Sequence, residues 1–105
     1  MLGKDQLDLL KYFYQLLTKN NMEQLVIGQD GEVSKSQNSL GADVNVIEEF
    51  FHITVVQENN KQAFRKLLLS IPDTYLKQIP ETRFGSPYVI TVTNVGKEYV
   101  NRIQE

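Results

Sequence analysis

Residues 50–60, Phe50-Phe51-His52-Ile53-Thr54-Val55-Val56-Gln57-Glu58-Asn59-Asn60, hold the fork on which the fold turns. The β-branched residues Ile53, Thr54, Val55 and Val56 favour a strand. The same residues also fit the turn between two helices, with Ile53 as its buried plug. Upstream, Asp43 reads as an N-cap, followed by Val46, Ile47, Phe50 and Phe51 at helical spacing. Downstream, Asn59 or Asn60 can cap a helix running to about Ser70, which Pro72 stops. Its inner face would be Asn60, Phe64, Leu67, Leu68 and Ile71, with Lys61, Gln62, Arg65 and Lys66 pointing outward. A strand over 50–56 would leave no turn between those helices.

Working outward, Asp5 to Lys19 has the spacing of an amphipathic helix, with Leu7, Leu10, Phe13 or Tyr14 and Leu17 on one face. Asp5 and Asp8 in its first turn and Lys19 in its last suit the helix macrodipole, and Asn20-Asn21 ends it. Glu23 to Ile27 is a short strand. Gly28-Gln29-Asp30-Gly31 is a turn signal that allows a small hairpin returning through Val33. Residues 34–42 are polar and small, as in a mobile loop. Past Pro72, Tyr75 to Ile79 and Tyr88 to Val92 read as strands, the second alternating Tyr88, Ile90 and Val92 against Val89 and Thr91. The Gly- and Pro-bearing stretch from Pro80 to Pro87 is the loop between them. Thr93 caps a last helix over 94–104, with Val95, Tyr99, Val100 and Ile103 as its apolar positions.

The chain has 105 residues, 41% apolar and 23% charged, with a net charge of −2. That length suits one domain able to bury a core without staples. With no cysteine, disulfides, thiol nucleophiles and cysteine metal sites are excluded, and the single histidine, His52, is too little for a histidine-rich site. No apolar run exceeds three residues, so neither a membrane span nor a signal-peptide core is expected, which makes the expected location cytoplasmic. The small net charge hides an asymmetry. Residues 1–58 carry four basic and nine acidic residues, −5, and residues 59–105 carry seven basic and four acidic, +3. A basic C-terminal half is a reason to look there for an anionic partner.

The segment Thr82 to Val100, T-R-F-G-S-P-Y-V-I-T-V-T-N-V-G-K-E-Y-V, resembles the wing and following helix of bacterial winged helix-turn-helix proteins, with a strand ending in a threonine cap, Thr93, and a glycine, Gly96, three residues later. The match covers about a fifth of the chain; the helices at 43–51 and 59–70 agree in spacing and amphipathicity. The resemblance implies one α+β, winged helix-turn-helix domain over 1–105, helix-dominated, with a C-terminal β-hairpin wing and a final helix. It also implies a homodimer spanning two half-sites, with the first and last helices supplying core and dimer surface.

Double-stranded DNA is a physically sensible partner for such a chain. A helix about 10–12 Å across fits a major groove about 12 Å wide. Lys61 and Arg65, like Gln62 and Lys66, lie four residues apart and are expected to share one outward stripe. Arginine reads guanine, glutamine reads adenine and lysine neutralises phosphate. Gln57, Asn59 and Asn60 sit near the helix start, where base edges come closest. Arg83 in the hairpin loop suits a minor groove, and Lys77 a backbone contact. The expected DNA-binding set is therefore Gln57, Asn59, Lys61, Gln62, Arg65, Lys66, Lys77 and Arg83.

Each of these residues also has a plainer reading, the basic stripe as a solvated helix face and Arg83 as a surface arginine. Phe50, Phe51, Phe64 and Tyr99 fall on inner faces and read as core. His52 reads as a partly buried packing or hydrogen-bonding residue. Glu48 and Glu49 diverge by about 100° on a helix and form no acid–base pair. Asp30-Gly31-Glu32 is a turn, short of the oxygens a calcium loop needs. The expected function is non-catalytic DNA binding, as a small transcriptional regulator or a plasmid or phage DNA-site adaptor, with no enzyme activity, cofactor or metal. The rival is a small protein–protein interaction or inhibitor domain, favoured by the acidic N-terminal half, which would repel DNA.

Overall fold

The computed structural model describes residues 2–34, 42–80 and 88–104. Helix α1 (Lys4–Lys19) buries Leu9, Leu10, Phe13, Leu16 and Leu17, so its inward face is centred on Leu9, Phe13 and Leu16, with Leu7 half-buried beside it. Five large apolar side chains on one face of four turns hold it to the core far more than helix propensity does. At its start the Gly3 N–H donates to Oε1 of Gln6 (2.7 Å). At its end the Asn20 amide donates to the Leu16 carbonyl (2.8 Å), and Asn21 adopts φ 53°, a left-handed conformation that asparagine tolerates.

Strand β1 (Leu25–Ile27) follows, and the chain turns at 28–31 as expected. The Gly31 N–H donates to the Gly28 carbonyl and the Gly28 N–H to the Glu32 carbonyl, both at 2.9 Å. Gly31 has φ +91°, and a Cβ there would come within 2.7 Å of Ile47, so glycine is required on both counts. The expected hairpin does not form a ladder. Strand β2 (Glu32–Val33) pairs instead with β3 (Val44–Asn45), while β1 pairs with a strand near the C-terminus. Most of the expected 34–42 loop, residues 35–41, lies outside the described residues.

Helix α2 (Val46–Phe51) is capped by Asn45, not Asp43: its Oδ1 accepts from the N–H groups of Ile47 and Glu48 at 3.0 Å, and its amide donates to the Asp30 carbonyl. The fork at 50–60 resolves as a turn. His52 ends α2 at φ 57°, ψ 49°, which lets the Ile53 N–H reach back to the Glu48 carbonyl (2.9 Å). His52 is exposed rather than partly buried. Ile53 and Val56 pack against the core while Val55 is 68% exposed, so the β-branched run is divided between core and solvent. Helix α3 (Glu58–Ser70) starts after Gln57, whose N–H donates to Oδ1 of Asn60 (2.9 Å); Asn60 thus caps from inside the helix. Phe64, Leu68 and the following Ile71 are buried.

Strands β4 (Leu76–Pro80) and β5 (Tyr88–Val92) form an antiparallel ladder, and β1 adds to the other edge of β5. The sheet order is β1-β5-β4, with Leu25 opposite Ile90 and Leu76 opposite Val92. Leu25, Ile27, Leu76, Ile90 and Val92 are buried, which is the alternation expected for one covered face; the Tyr88 side chain lies outside the described residues. The Thr93 hydroxyl donates to the Thr74 carbonyl (2.5 Å) and accepts from the Gly96 N–H (2.9 Å), capping α4 (Asn94–Gln104). A Cβ on Gly96 would run into the Tyr75 carbonyl, so this glycine lets α4 sit directly on the β4 approach. Along α4 only Val100 of the four expected apolar positions is buried. Tyr99 is half-buried against the Tyr75 ring, with centroids 5.0 Å apart, and Val95 and Ile103 are 49% and 43% exposed.

Among the described residues the result is α+β, four helices with a three-stranded antiparallel sheet and the two-stranded β2–β3 pair. Phe64 is the hub of the helical side, its ring 6.2 Å from Phe13, 6.3 Å from Phe50 and 6.2 Å from Phe51 in edge-on contacts. Among the described residues no helix is long and apolar enough to cross a membrane.

Candidate nucleic-acid interface

The burial of Phe64 and Leu68 fixes the rotation of α3 and so decides what it shows to solvent. At about 100° per residue, Leu69, which is 60% exposed, and the three polar residues Asn59, Gln62 and Lys66 fall within roughly 40° of the direction opposite Phe64. All three are exposed. Their spacing of three, four and seven residues makes one continuous row along the helix. Gln57 and Glu58, also exposed, stand at its N-terminal end.

The expected four-residue stripe divides. Lys61 and Arg65 occupy the flank that faces the turn between β1 and β2, where with Gln62 from the edge of the row they help line a groove of about 200 Å³ over Gly28, Asp30 and Glu58. Lys61 is held there: its Nζ lies 2.7 Å from Oδ1 of Asp30 and 3.7 Å from Oε2 of Glu58. The hydrogen bond from Lys61, reinforced by its charge, keeps the Asp30 carboxyl below the usual carboxylate range. The same hydrogen bond keeps the Lys61 ammonium above its ordinary value against the opposing effect of desolvation. A lysine read as a solvated cation is therefore neutralised by its own molecule. Asp30, read from the sequence as a turn residue only, is the group that does this; no local pattern ties it to Lys61.

Lys77 is not brought to the α3 row. It is exposed on the edge strand β4, and alternation puts it on the face of the sheet opposite Leu76, Ile90 and Val92. Phe64 and Leu68 of α3 belong to the core that Leu76, Ile90 and Val92 help form. Arg83 and the expected hairpin tip lie outside the described residues. The structure thus brings together Asn59, Gln62 and Lys66 on one face, with Gln57 exposed at the helix start and Lys61 with Arg65 on the flank, and leaves Lys77 apart.

Other groups with chemical potential are fewer. Tyr12, between α1 and α2, has its phenol pushed up by burial and then by the negative charge of Glu49. It borders an open groove over Phe50 and Phe51. Among the described residues no group of three or more histidine or carboxylate side chains is placed to hold a metal ion. No protein-family model, curated protein or solved structure matches the chain.

Proposed function

We propose that this chain is a winged helix-turn-helix domain that binds double-stranded DNA without catalysing a reaction, as a small transcriptional regulator or DNA-site adaptor. The element order supports this reading: a helix, a strand, the short β2–β3 pair, two helices joined by the 52–57 turn, an antiparallel strand pair and a last helix, with β1 closing the three-stranded sheet. The observation that carries it is the row Asn59, Gln62 and Lys66 on the face of α3 opposite its Phe64 and Leu68 anchors. A polar, cation-bearing helix face fixed rigidly to a core is what a major groove accepts. In this reading Asn59 and Gln62 meet base edges, Lys66 meets phosphate, and Gln57 and Arg65 contact the groove margins. Arg83, in the segment between β4 and β5, serves the backbone or minor groove, and two copies span two half-sites.

Binding of a labelled random-sequence duplex, followed by fluorescence anisotropy, tests this directly. Affinity is expected to fall steeply from about 50 to about 200 mM salt as lysine–phosphate contacts displace counterions. No binding at the lower salt, or binding indifferent to salt, overturns it.

One observation favours a protein partner instead. Asp30 and Glu58 flank the start of α3, and the large apolar residues Val55, just before the helix, and Leu69, near its end, are 68% and 60% exposed. That reading gains if DNA binding is absent at every salt concentration.

A further inference from the structure

Towards its N-terminal end the outward row of α3 carries two side chains of one chemical kind. Asn59 and Gln62 end in carboxamides, which present a donor and an acceptor side by side. That pair matches the N6 donor and N7 acceptor of adenine in the major groove. Ala63, also exposed, flanks Asn59 and Lys66 on the side away from the groove with Asp30, and offers a methyl group of the kind that packs on the thymine methyl. Guanine is read best by arginine or lysine held bidentately. Of the two cations on the flank beside the amides, Lys61 is bound by Asp30 and Glu58. Arg65 lies on the same flank, lining that groove, and already has an intramolecular partner. Lys66 remains on the row, as a point charge suited to phosphate.

We infer that α3 selects adenine–thymine pairs, with Asn59 and Gln62 on adenine and Ala63 against a thymine methyl. This rests on the DNA-binding reading above and names the class of site that the same helix face takes. The direction of the preference comes from the Asp30–Lys61 pair as much as from the amides, because that pair removes a guanine-reading cation from the helix face.

The test is selection of bound duplexes from a random library at about 50 mM salt, then anisotropy on the selected duplex and on atom-level variants of it. The selected core is expected to be rich in adenine–thymine pairs. Replacing its adenines with 7-deaza-adenine removes only the major-groove N7 acceptor and is expected to weaken binding roughly 5- to 100-fold, about the discrimination of a single bidentate contact. Replacing thymine with uracil removes the methyl and is expected to give a smaller loss, absent in Ala63→Gly. Asn59→Ala and Gln62→Ala together are expected to abolish the preference, so that the selected duplex and a guanine–cytosine duplex bind alike, while the thermal midpoint stays in place. A guanine-rich selected core, or a preference that survives 7-deaza-adenine, overturns the inference while leaving DNA binding intact. Failure to bind any duplex overturns both.

Discussion

The Lys61 ammonium is clamped 2.7 Å from the Asp30 carboxylate, so the first cation of α3 is spent on the turn between β1 and β2. Phosphate and Asp30 therefore compete for one charge. Asp30→Asn is expected to release Lys61, tighten duplex binding and steepen its salt dependence by about 0.9 in the log–log slope, one additional phosphate contact. Anisotropy titrations at several salt concentrations read both effects. An unchanged slope means Lys61 does not reach the duplex when freed.

The same pair gives a pH dependence whose sign follows from its direction. Lys61 lowers the folded-state pKa of Asp30, so the pair stabilises the fold above the ordinary carboxylate range and this contribution is lost as pH falls through the depressed value. Wild type should lose thermal stability on acidification more than Asp30→Asn does. Parallel melts from about pH 6 down to about pH 2 compare them.

At the alkaline end Tyr12 dominates. Burial raises its pKa above the ordinary 10.0, so the folded chain keeps the phenol proton that the unfolded chain releases. Stability contributed in this way is present below that ordinary value and lost as pH rises past it. Tyr12→Phe should flatten the fall in thermal midpoint between about pH 9 and about pH 11, and an identical fall in both proteins would show that Tyr12 ionises freely.

Phe64→Ala removes the ring that meets Phe13, Phe50 and Phe51, and with it the anchor that sets the rotation of α3. A cost of about 3–5 kcal/mol is expected from urea denaturation. Lys66→Ala, on the opposite face, should leave the urea midpoint in place and weaken binding to all duplexes alike.

Gly96→Ala sets a methyl against the Tyr75 carbonyl, whose carbon would be 3.0 Å away, and no flexible side chain stands between to give way. A loss of about 1–3 kcal/mol is expected, a fall of roughly 4–8 °C in thermal midpoint per kcal/mol. Thr93→Val should cost about 1–2 kcal/mol by removing the cap acceptor for the Gly96 N–H. Little change in either variant would mean that α4 is not pinned at this joint.

Features governed by neighbours in sequence are legible in the sequence itself. The α1 stripe, the Pro72 stop and the Thr93–Gly96 cap all follow from residues within a turn or two of one another. The cap of α2 was misplaced from Asn45 to Asp43 because either side chain can accept from a helix start, and the choice depends on the Asn45 amide also reaching the Asp30 carbonyl. The 52–56 fork stayed open for a related reason. Ile53, Val55 and Val56 suit a strand until His52 turns the chain left-handed, which places the first and last against the core and Val55 in solvent. The candidate interface was half legible: periodicity located Gln62 and Lys66, but the withdrawal of Lys61 depends on where the β1–β2 turn packs, which no spacing in α3 records.

The order β1-β5-β4 puts the last strand of the chain in the middle of the sheet. Both outer strands wait for residues 88–92, so a chain still emerging from the ribosome has two open edges and nothing to zip them together. Contacts this far apart in sequence slow folding and lengthen exposure to misassembly. Cutting the chain before Tyr88 would strand β1 and β4 at one stroke, even though neither would lose a residue of its own.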